Sequence, residues 1–177
     1  MKTLLGLFIG IAVVFCQLSF ADLELKRRFD FDSKLIRLGA GGTGWVLGFT
    51  YDNYIPNLPI SYGIAGYFGS PTGENVQGDN LAVIGVPVTV DGHLSERLIY
   101  SLGVMPGYAQ GNLSGGTRMT GVILEQSISV GFVLGGGWRV ALQPGYLYCF
   151  NDSNFSGFTY GIRIERKTLQ TIRGRDD

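Results

Sequence analysis

The sequence predicts an all-β fold, an antiparallel up-and-down transmembrane β-barrel of eight strands. Three observations support this fold class. Residues 1–21 have one lysine, an apolar run and a small-residue end, which is typical of a bacterial secretory signal. No later segment shows convincing helical periodicity. The segments instead place bulky apolar residues on one strand face and small, polar or charged residues on the other, as a barrel surrounded by lipid requires.

The first element is a signal peptide, which we expect to be cleaved after Ala21. Ser19 and Ala21 occupy the small positions of a cleavage site, and the apolar run Leu4–Phe15 is short for a membrane-spanning helix. The chain that follows is long enough for one domain. We expect an outer-membrane β-barrel over residues 22–167 and a polar C-terminal tail over residues 168–177.

The composition excludes several classes of protein. Lysine and arginine number 14, as do aspartate and glutamate, so no basic excess points to nucleic acid. The chain has one histidine, and Cys149 is the one cysteine left after cleavage, so an intramolecular disulfide is excluded. Neither residue has a spaced partner that would complete a metal site. We therefore expect no metal, no cofactor and no nucleic-acid partner.

Eight strand candidates follow the signal peptide. The second is ambiguous, because Gly39–Gly44 (GAGGTG) could lie inside one long strand or form a hairpin turn that leaves residues 22–31 outside the barrel. Either alternative gives eight strands, an even number as in bacterial outer-membrane barrels. The candidates are residues 22–31, 34–52, 60–69, 79–91, 97–109, 116–133, 137–150 and 155–167.

The strand at residues 138–150 shows its facing most clearly. Trp138, Val140 and Leu142 begin a bulky face, and Arg139 lies on the other face. Ten residues at about 3.3 Å each, tilted by about 40°, span roughly 25 Å, the height of a barrel's apolar band. The soluble alternative, a periplasmic lipocalin-like barrel, needs its bulky face inside and a charged exterior. Turning these strands over would expose mostly glycine, serine and alanine.

Polar connections alternate with connections that are mostly tight. With the N-terminus in the periplasm, the polar connections fall on the cell exterior, as expected for an outer-membrane barrel. The polar connections are residues 70–79, 110–116 and 151–154, and the tight ones are residues 56–59, 91–96 and 134–137.

This architecture resembles the family of small eight-stranded bacterial outer-membrane barrels, the class that includes the OmpA transmembrane domain and OmpX. Ser156–Ile162 (SGFTYGI) is similar to the last-strand signal read by the barrel-insertion machinery, with Gly157 followed by Tyr160 and Ile162 at the expected spacing. Such chains usually end there, whereas this one continues through Lys167–Asp177, which could be a periplasmic contact segment. The resemblance implies a protein of the Gram-negative cell envelope, in the outer membrane.

Charged residues on the inward faces must find partners, because an unpaired buried charge is very costly. Pairing neighbouring strands across their turns places Arg139 opposite Glu165, with Arg163 one step away, and Asp91 opposite Arg97. The predicted polar network of the lumen comprises Asp91, Arg97, Glu125, Arg139, Arg163 and Glu165.

The same pairing predicts that the lumen is plugged. Glu125 falls in a layer with Ser101 and Gly145, and eight strands leave room for side chains or a small cavity rather than a wide pore. We favour a satisfied polar core that fixes the strand register. A gated ion path or a ligand site is the alternative.

A short turn contains the histidine of this chain. His93, Ser95 and Glu96 match the His-x-Ser spacing and the acidic partner of outer-membrane lipid A deacylases. In those enzymes the pair lies on a strand close to the outer-leaflet lipid, whereas this turn falls in the periplasm. We therefore interpret His93 as a solvated turn residue and expect no catalytic residue.

Three prolines lie inside predicted strands, where each removes a ladder hydrogen bond. In outer-membrane lipid acyltransferases, prolines of this kind open lateral gaps that admit a lipid chain. We favour local bulges, and no Ser/His/Asp set accompanies the prolines. The candidates for lateral gaps are Pro87, Pro106 and Pro144.

The sequence thus predicts an outer-membrane barrel with a structural or interaction role: membrane integrity, surface contact or anchoring of a periplasmic partner. Its partners would be outer-membrane lipid and a periplasmic or cell-envelope protein. Two alternatives come from other classes. One is a lipid-modifying outer-membrane enzyme of the lipid A deacylase or acyltransferase type, and the other is a periplasmic ligand-binding barrel.

Overall fold

The computed structural model describes residues 25–39, 43–55, 58–70, 72–73, 76–77, 80–112, 118–151 and 153–169. The predicted signal peptide and residues 170–177 of the predicted tail lie outside the described residues. Within the described ranges, no helix is long and apolar enough to cross a membrane.

Eight strands form a closed antiparallel barrel, which confirms the predicted fold class. Each strand pairs with the next along the chain, and the first pairs with the last, so the barrel has no free edge. The fourth strand consists of two segments, β4a and β4b. The strands are β1 (Leu25–Leu38), β2 (Thr43–Tyr54), β3 (Ile60–Gly69), β4a (Leu81–Gly85), β4b (Val88–His93), β5 (Leu98–Asn112), β6 (Arg118–Gly135), β7 (Trp138–Cys149) and β8 (Gly157–Leu169).

β1 runs unbroken through the residues at which the sequence suggested a break. Asp30, Asp32 and Lys34 are poor strand formers by type, but each points inward while Phe29 and Phe31 lie on the exposed outer face. Along this stretch β1 pairs with β2 on one side and with β8 on the other.

The predicted break between residues 22–31 and 34–52 is therefore wrong, and so is the exclusion of residues 22–31 from the barrel, whereas the alternative of a hairpin turn at Gly39–Gly44 agrees with the strand bounds. β1 ends at Leu38 and β2 begins at Thr43, so most of the glycine-rich segment lies in a hairpin connection, and the first predicted strand belongs to the barrel. The count of eight strands was nevertheless right. The first two candidates merge through residues 32–33, and the long second candidate divides between Leu38 and Thr43.

The bulky residues lie on the outer face, as predicted. In β7, exposed Trp138, Val140 and Leu142 alternate with buried Arg139 and Ala141. Leu142 is 65 % exposed, and large exposed apolar side chains occur on all eight strands. A surface of this kind fits a lipid solvent rather than water.

The turn between β6 and β7 depends on glycine. Gly135, Gly136 and Gly137 have φ values of 108°, 60° and 80°, a region that side chains with a Cβ rarely adopt. Three such residues in succession let the chain reverse tightly and start β7 at Trp138.

The lumen has an apolar half and a charged half. The apolar half lies toward the β1–β2, β3–β4a, β5–β6 and β7–β8 connections and includes Ile36, Leu81, Ile123 and Leu147. A short 3-10 helix between β7 and β8 inserts Phe155, which is 2 % exposed, into this half. The charged half lies toward the strand ends at which both termini are found.

Candidate functional site

Arg28 of β1 is the centre of the charged half of the lumen. Its Nη2 donates a hydrogen bond to Asp52 of β2, its Nη1 donates to Asp91 of β4b at 3.4 Å, and its Nε forms an ion pair with Asp30 at 3.0 Å. Nη2 also donates to the Thr89 hydroxyl at 3.1 Å. One buried guanidinium thereby ties three strands together through the lumen.

Asp91 belongs to this group and does not pair with Arg97, so that prediction was wrong. Tyr54 donates a hydrogen bond to Asp91, and Ser101 donates another at 2.5 Å. β4b extends to His93, so Asp91 lies within the strand, opposite Ser101 of β5. Arg97 consequently lies on the turn, where it is exposed.

Arg139 of β7 lies opposite Glu165 of β8, in the register inferred from the hairpin. Arg139 Nη2 bonds to Glu165 Oε1 and also donates to the Ser101 hydroxyl at 3.0 Å. Both charged residues are almost completely buried, at 1 % and 0 % exposure. Ser101 connects this pair to the group around Asp91.

Arg163 of β8 bridges the acidic residues of β1. Its Nε donates to Asp32 Oδ1 at 2.7 Å. Its Nη1 lies 3.6 Å from Asp30 and 3.9 Å from Glu165. Sequence reasoning placed Arg163 in the network but missed both of its partners on β1.

Lys34 and Glu125 form an ion pair across the lumen, between strands that are not neighbours. Lys34 Nζ of β1 lies 2.7 Å from Glu125 Oε1 of β6 and 3.9 Å from the ring centroid of Tyr67 in β3. Thr159 of β8 donates to Glu125 at 3.4 Å. The pair therefore links four strands.

Glu125 and Ser101 are not direct cross-strand partners, although both line the same small cavity of the lumen. Glu125 lies opposite Met105, whereas Ser101 lies opposite Ser129.

The largest omission from the sequence analysis is the row of charges on β1. Arg28, Asp30, Asp32 and Lys34 occupy every second position, so all of them point to one face of a strand. That period of two was the available signal. The predicted break after residue 31 divided this row between two strands, so that its alternation was not followed from end to end.

Side chains fill most of the charged half. The described lumen buries six carboxylates and four basic side chains. A cavity of about 20 Å³ beside Glu125, Gln143 and Arg163 has room for about one water molecule. Space of this size does not admit an organic ligand.

The turn after β4b is separate from this network. His93, the last residue of β4b, is exposed, as are Ser95 and Glu96 on the turn, where the Ser95 hydroxyl accepts a hydrogen bond from the Leu98 amide at 3.2 Å. In the part of the chain that the structure describes, no three histidine, cysteine, aspartate or glutamate side chains are grouped to hold a metal ion.

The strand prolines interrupt the ladder without inserting a residue. Around the break between β4a and β4b, the Val86 amide donates to the Pro106 carbonyl at 2.9 Å and the Gly63 amide donates to the Pro87 carbonyl at 3.2 Å. Pro87 and Pro106 thus each accept one ladder bond through the carbonyl and lack the bond that an N–H would donate. The register on either side is unchanged, at Pro144 also, so the favoured interpretation as bulges is wrong.

No protein-family model matches the sequence, and no curated protein matches it. Several solved structures do. Neisserial surface protein A (NspA) is similar with a TM-score of 0.63 at 13 % identity, over 81 % of this chain and 97 % of that one. The N-terminal β-barrel domain of Pseudomonas aeruginosa OprF has a TM-score of 0.56 at 10 % identity, over 82 % of this chain and 100 % of that domain.

A third similar structure is Ail, the attachment invasion locus protein of Yersinia pestis. Its TM-score is 0.50 at 10 % identity, over 84 % of this chain and 100 % of that one. This chain has the fold of the small eight-stranded outer-membrane β-barrels to which it is similar. Sequence identities of 10–13 % show a shared fold and no more. The apolar exterior of the barrel agrees with the outer membrane as its location.

Proposed function

We propose that this barrel is a plugged, non-conducting protein with a structural role in the outer membrane. The observation that carries the proposal is that side chains fill both halves of the lumen. The apolar cluster and Phe155 occupy the half near the longer connections, and the charged network occupies the half near the termini.

The charged network supports a rigid barrel rather than a gate. Contacts of Arg28 and Lys34 join strands that are not neighbours: Arg28 joins β1 to β4b, and Lys34 joins β1 to β6. Opening a path through this half would separate several buried ion pairs at once. Each separation would leave an uncompensated charge, which is strongly destabilising.

The apolar half opposes ion passage for a different reason. Ile123, Leu147 and Phe155 are each 2 % exposed or less. An ion that moved between them would lose its hydration shell without gaining polar partners. The two halves are therefore barriers of independent chemistry placed in series.

Planar-bilayer recording of the purified protein tests the plug. We expect no discrete current steps under conditions in which an inserted porin, added as a positive control, conducts. Regular unitary openings would contradict the proposal and favour the gated ion path.

Envelope integrity tests the structural role. Deletion of the gene should sensitise cells to detergents and to large antibiotics, and a plasmid copy of the wild-type gene should restore resistance. A copy with His93→Ala and Ser95→Ala is the matched control, because it changes the exposed turn and leaves the lumen intact. We expect it to restore resistance equally, whereas failure of this copy alone would favour the enzyme.

A further inference from the structure

Charge is segregated between the inside and the outside of the barrel. The buried lumen has an excess of carboxylates. The exposed surface of the described residues has the opposite bias, with a single carboxylate, Glu96, on the turn after β4b. The exposed basic residues are Arg27, Arg37, Arg97 and Arg166.

Two of these arginines are neighbours at the rim where both termini lie. Phe29 of β1 lies opposite Arg166 of β8, and Arg27 lies two residues before Phe29 on the same outward face. Diagonal neighbours of this kind are about 7–8 Å apart at their backbones, within reach of two long side chains. Among the described residues, neither arginine has a carboxylate partner.

An aromatic residue completes the cluster. Trp138 of β7 lies opposite Arg166, and the guanidinium carbon is 5.4 Å from the centroid of its ring. The ring covers one face of the Arg166 guanidinium group, so the N–H groups at the edge of that plane can still donate hydrogen bonds to a ligand. Tryptophan at a membrane–water interface places its apolar body toward lipid and its N–H toward the headgroups.

The surface next to this cluster is apolar. One step toward the centre of each strand lie Phe29, Val140 and Ile164, which are 53 %, 37 % and 42 % exposed. A ligand at this position therefore meets cationic groups at the rim and hydrocarbon immediately beyond. That order of polarity matches the headgroup and acyl chain of a lipid, not a soluble anion.

We propose that Arg27, Arg166 and Trp138 form a binding site for an anionic glycerophospholipid in the leaflet at the terminal rim. The planar guanidinium groups match the phosphate oxygens, and the negative headgroup complements two arginines that have no carboxylate partner among the described residues. The exposed apolar residues below contact the acyl chain. This site depends on the bilayer-spanning fold and not on the plugged lumen.

The chain's two tryptophans allow a direct test, since Trp138 belongs to the site and Trp45 lies near the opposite rim. In a Trp45→Phe variant, fluorescence reports on Trp138 alone. This variant is reconstituted in two sets of vesicles that contain the same fraction of phosphatidylglycerol in phosphatidylcholine. In one set the phosphatidylglycerol has brominated acyl chains, and in the other set the phosphatidylcholine has them. Bromine quenches tryptophan fluorescence on contact. The ratio of quenching in the two sets of vesicles therefore gives the preference of the site at Trp138 for phosphatidylglycerol over phosphatidylcholine.

We expect preferential quenching by phosphatidylglycerol, lowered roughly fivefold by each of Arg27→Gln and Arg166→Gln. Arg37→Gln is the matched control, because it removes an exposed arginine of the same strand at the other end. It should leave the preference unchanged. An equal loss with Arg37→Gln, or no loss with the other two changes, would contradict the site.

A second measurement holds even if an arginine variant fails to fold. A Trp138→Phe variant reports on Trp45 with both arginines intact. We expect a weaker preference for phosphatidylglycerol there, because Trp45 has one exposed arginine, Arg37, as its diagonal neighbour on β1, whereas the proposed site has two. An equal preference at both tryptophans would show a general attraction of the barrel for anionic lipid, and no preference at Trp138 would show that the site does not bind it.

Discussion

At the scale of single residues, the buried pair of Arg139 and Glu165 should be strongly coupled. Glu165→Ala leaves the 1 % exposed Arg139 without a carboxylate partner, and should lower the unfolding free energy by about 3–5 kcal/mol. The double change Arg139→Ala/Glu165→Ala should cost less than the sum of the single changes. Urea unfolding in lipid vesicles measures all three variants.

The control for this cycle is Glu96→Ala. Glu96 is exposed on the turn, so its removal should change the unfolding free energy by no more than about 0.5 kcal/mol. Strict additivity of the two lumen changes would mean that Arg139 and Glu165 do not meet.

The exposed turn offers a separate residue-scale prediction. Purified protein should leave lipid A unmodified, as judged by mass spectrometry, and His93→Ala should change nothing measurable. The reason is that the Ser95 hydroxyl accepts a hydrogen bond that closes the turn, and His93 and Ser95 are both exposed to solvent rather than held in a pocket. Loss of an acyl chain that depended on His93 would replace the structural role with an enzymatic one.

These residues also show how far sequence reasoning reaches. Arg139 and Glu165 lie on strands joined by one short connection, so counting residues across it gives their register. Lys34 and Glu125 lie on strands that are not adjacent, and they meet only because the barrel closes. Their contact depends on strand number and stagger, which no single hairpin specifies.

At the scale of strands, outward and inward positions should differ in cost. Leu142 is 65 % exposed near the middle of β7, so Leu142→Arg should cost about 2–4 kcal/mol of unfolding free energy in a bilayer. Gly103→Ser, beside the small lumen cavity, should cost less. Its new Cβ would lie 2.9 Å from the Ser127 hydroxyl, which can rotate away. Equilibrium unfolding in vesicles ranks the two, and the reverse order would contradict the assigned faces.

Strands differ in how well the sequence predicts them. β7 was predicted at residues 137–150 and spans Trp138–Cys149, because bulky and small residues alternate along its whole length. β1 was misread because its inward face is charged, and the sequence does not show that the lumen supplies a partner for each charge. Burial inside a barrel thus overrides the low strand propensity of aspartate and lysine.

At the scale of the whole molecule, the two halves of the plug should act independently. Phe155→Ala removes a buried ring from the apolar half and should lower the unfolding free energy by about 3–5 kcal/mol. It should not open a conducting path, because the charged half remains closed. Bilayer recording beside urea unfolding distinguishes the two effects, and current steps in this variant would show that Phe155 alone seals the lumen.

The central claim is that the bulky faces of the strands contact lipid, and collision of a spin label with oxygen or a water-soluble nickel chelate tests it most directly. The label is attached at Leu142→Cys in a Cys149→Ser background, with His93→Cys at the exposed end of β4b as the matched position. At position 142 we expect frequent collisions with oxygen and few with the chelate, and the opposite at position 93. A label at position 142 that met the chelate as often as the label at position 93 would contradict the inside-out barrel.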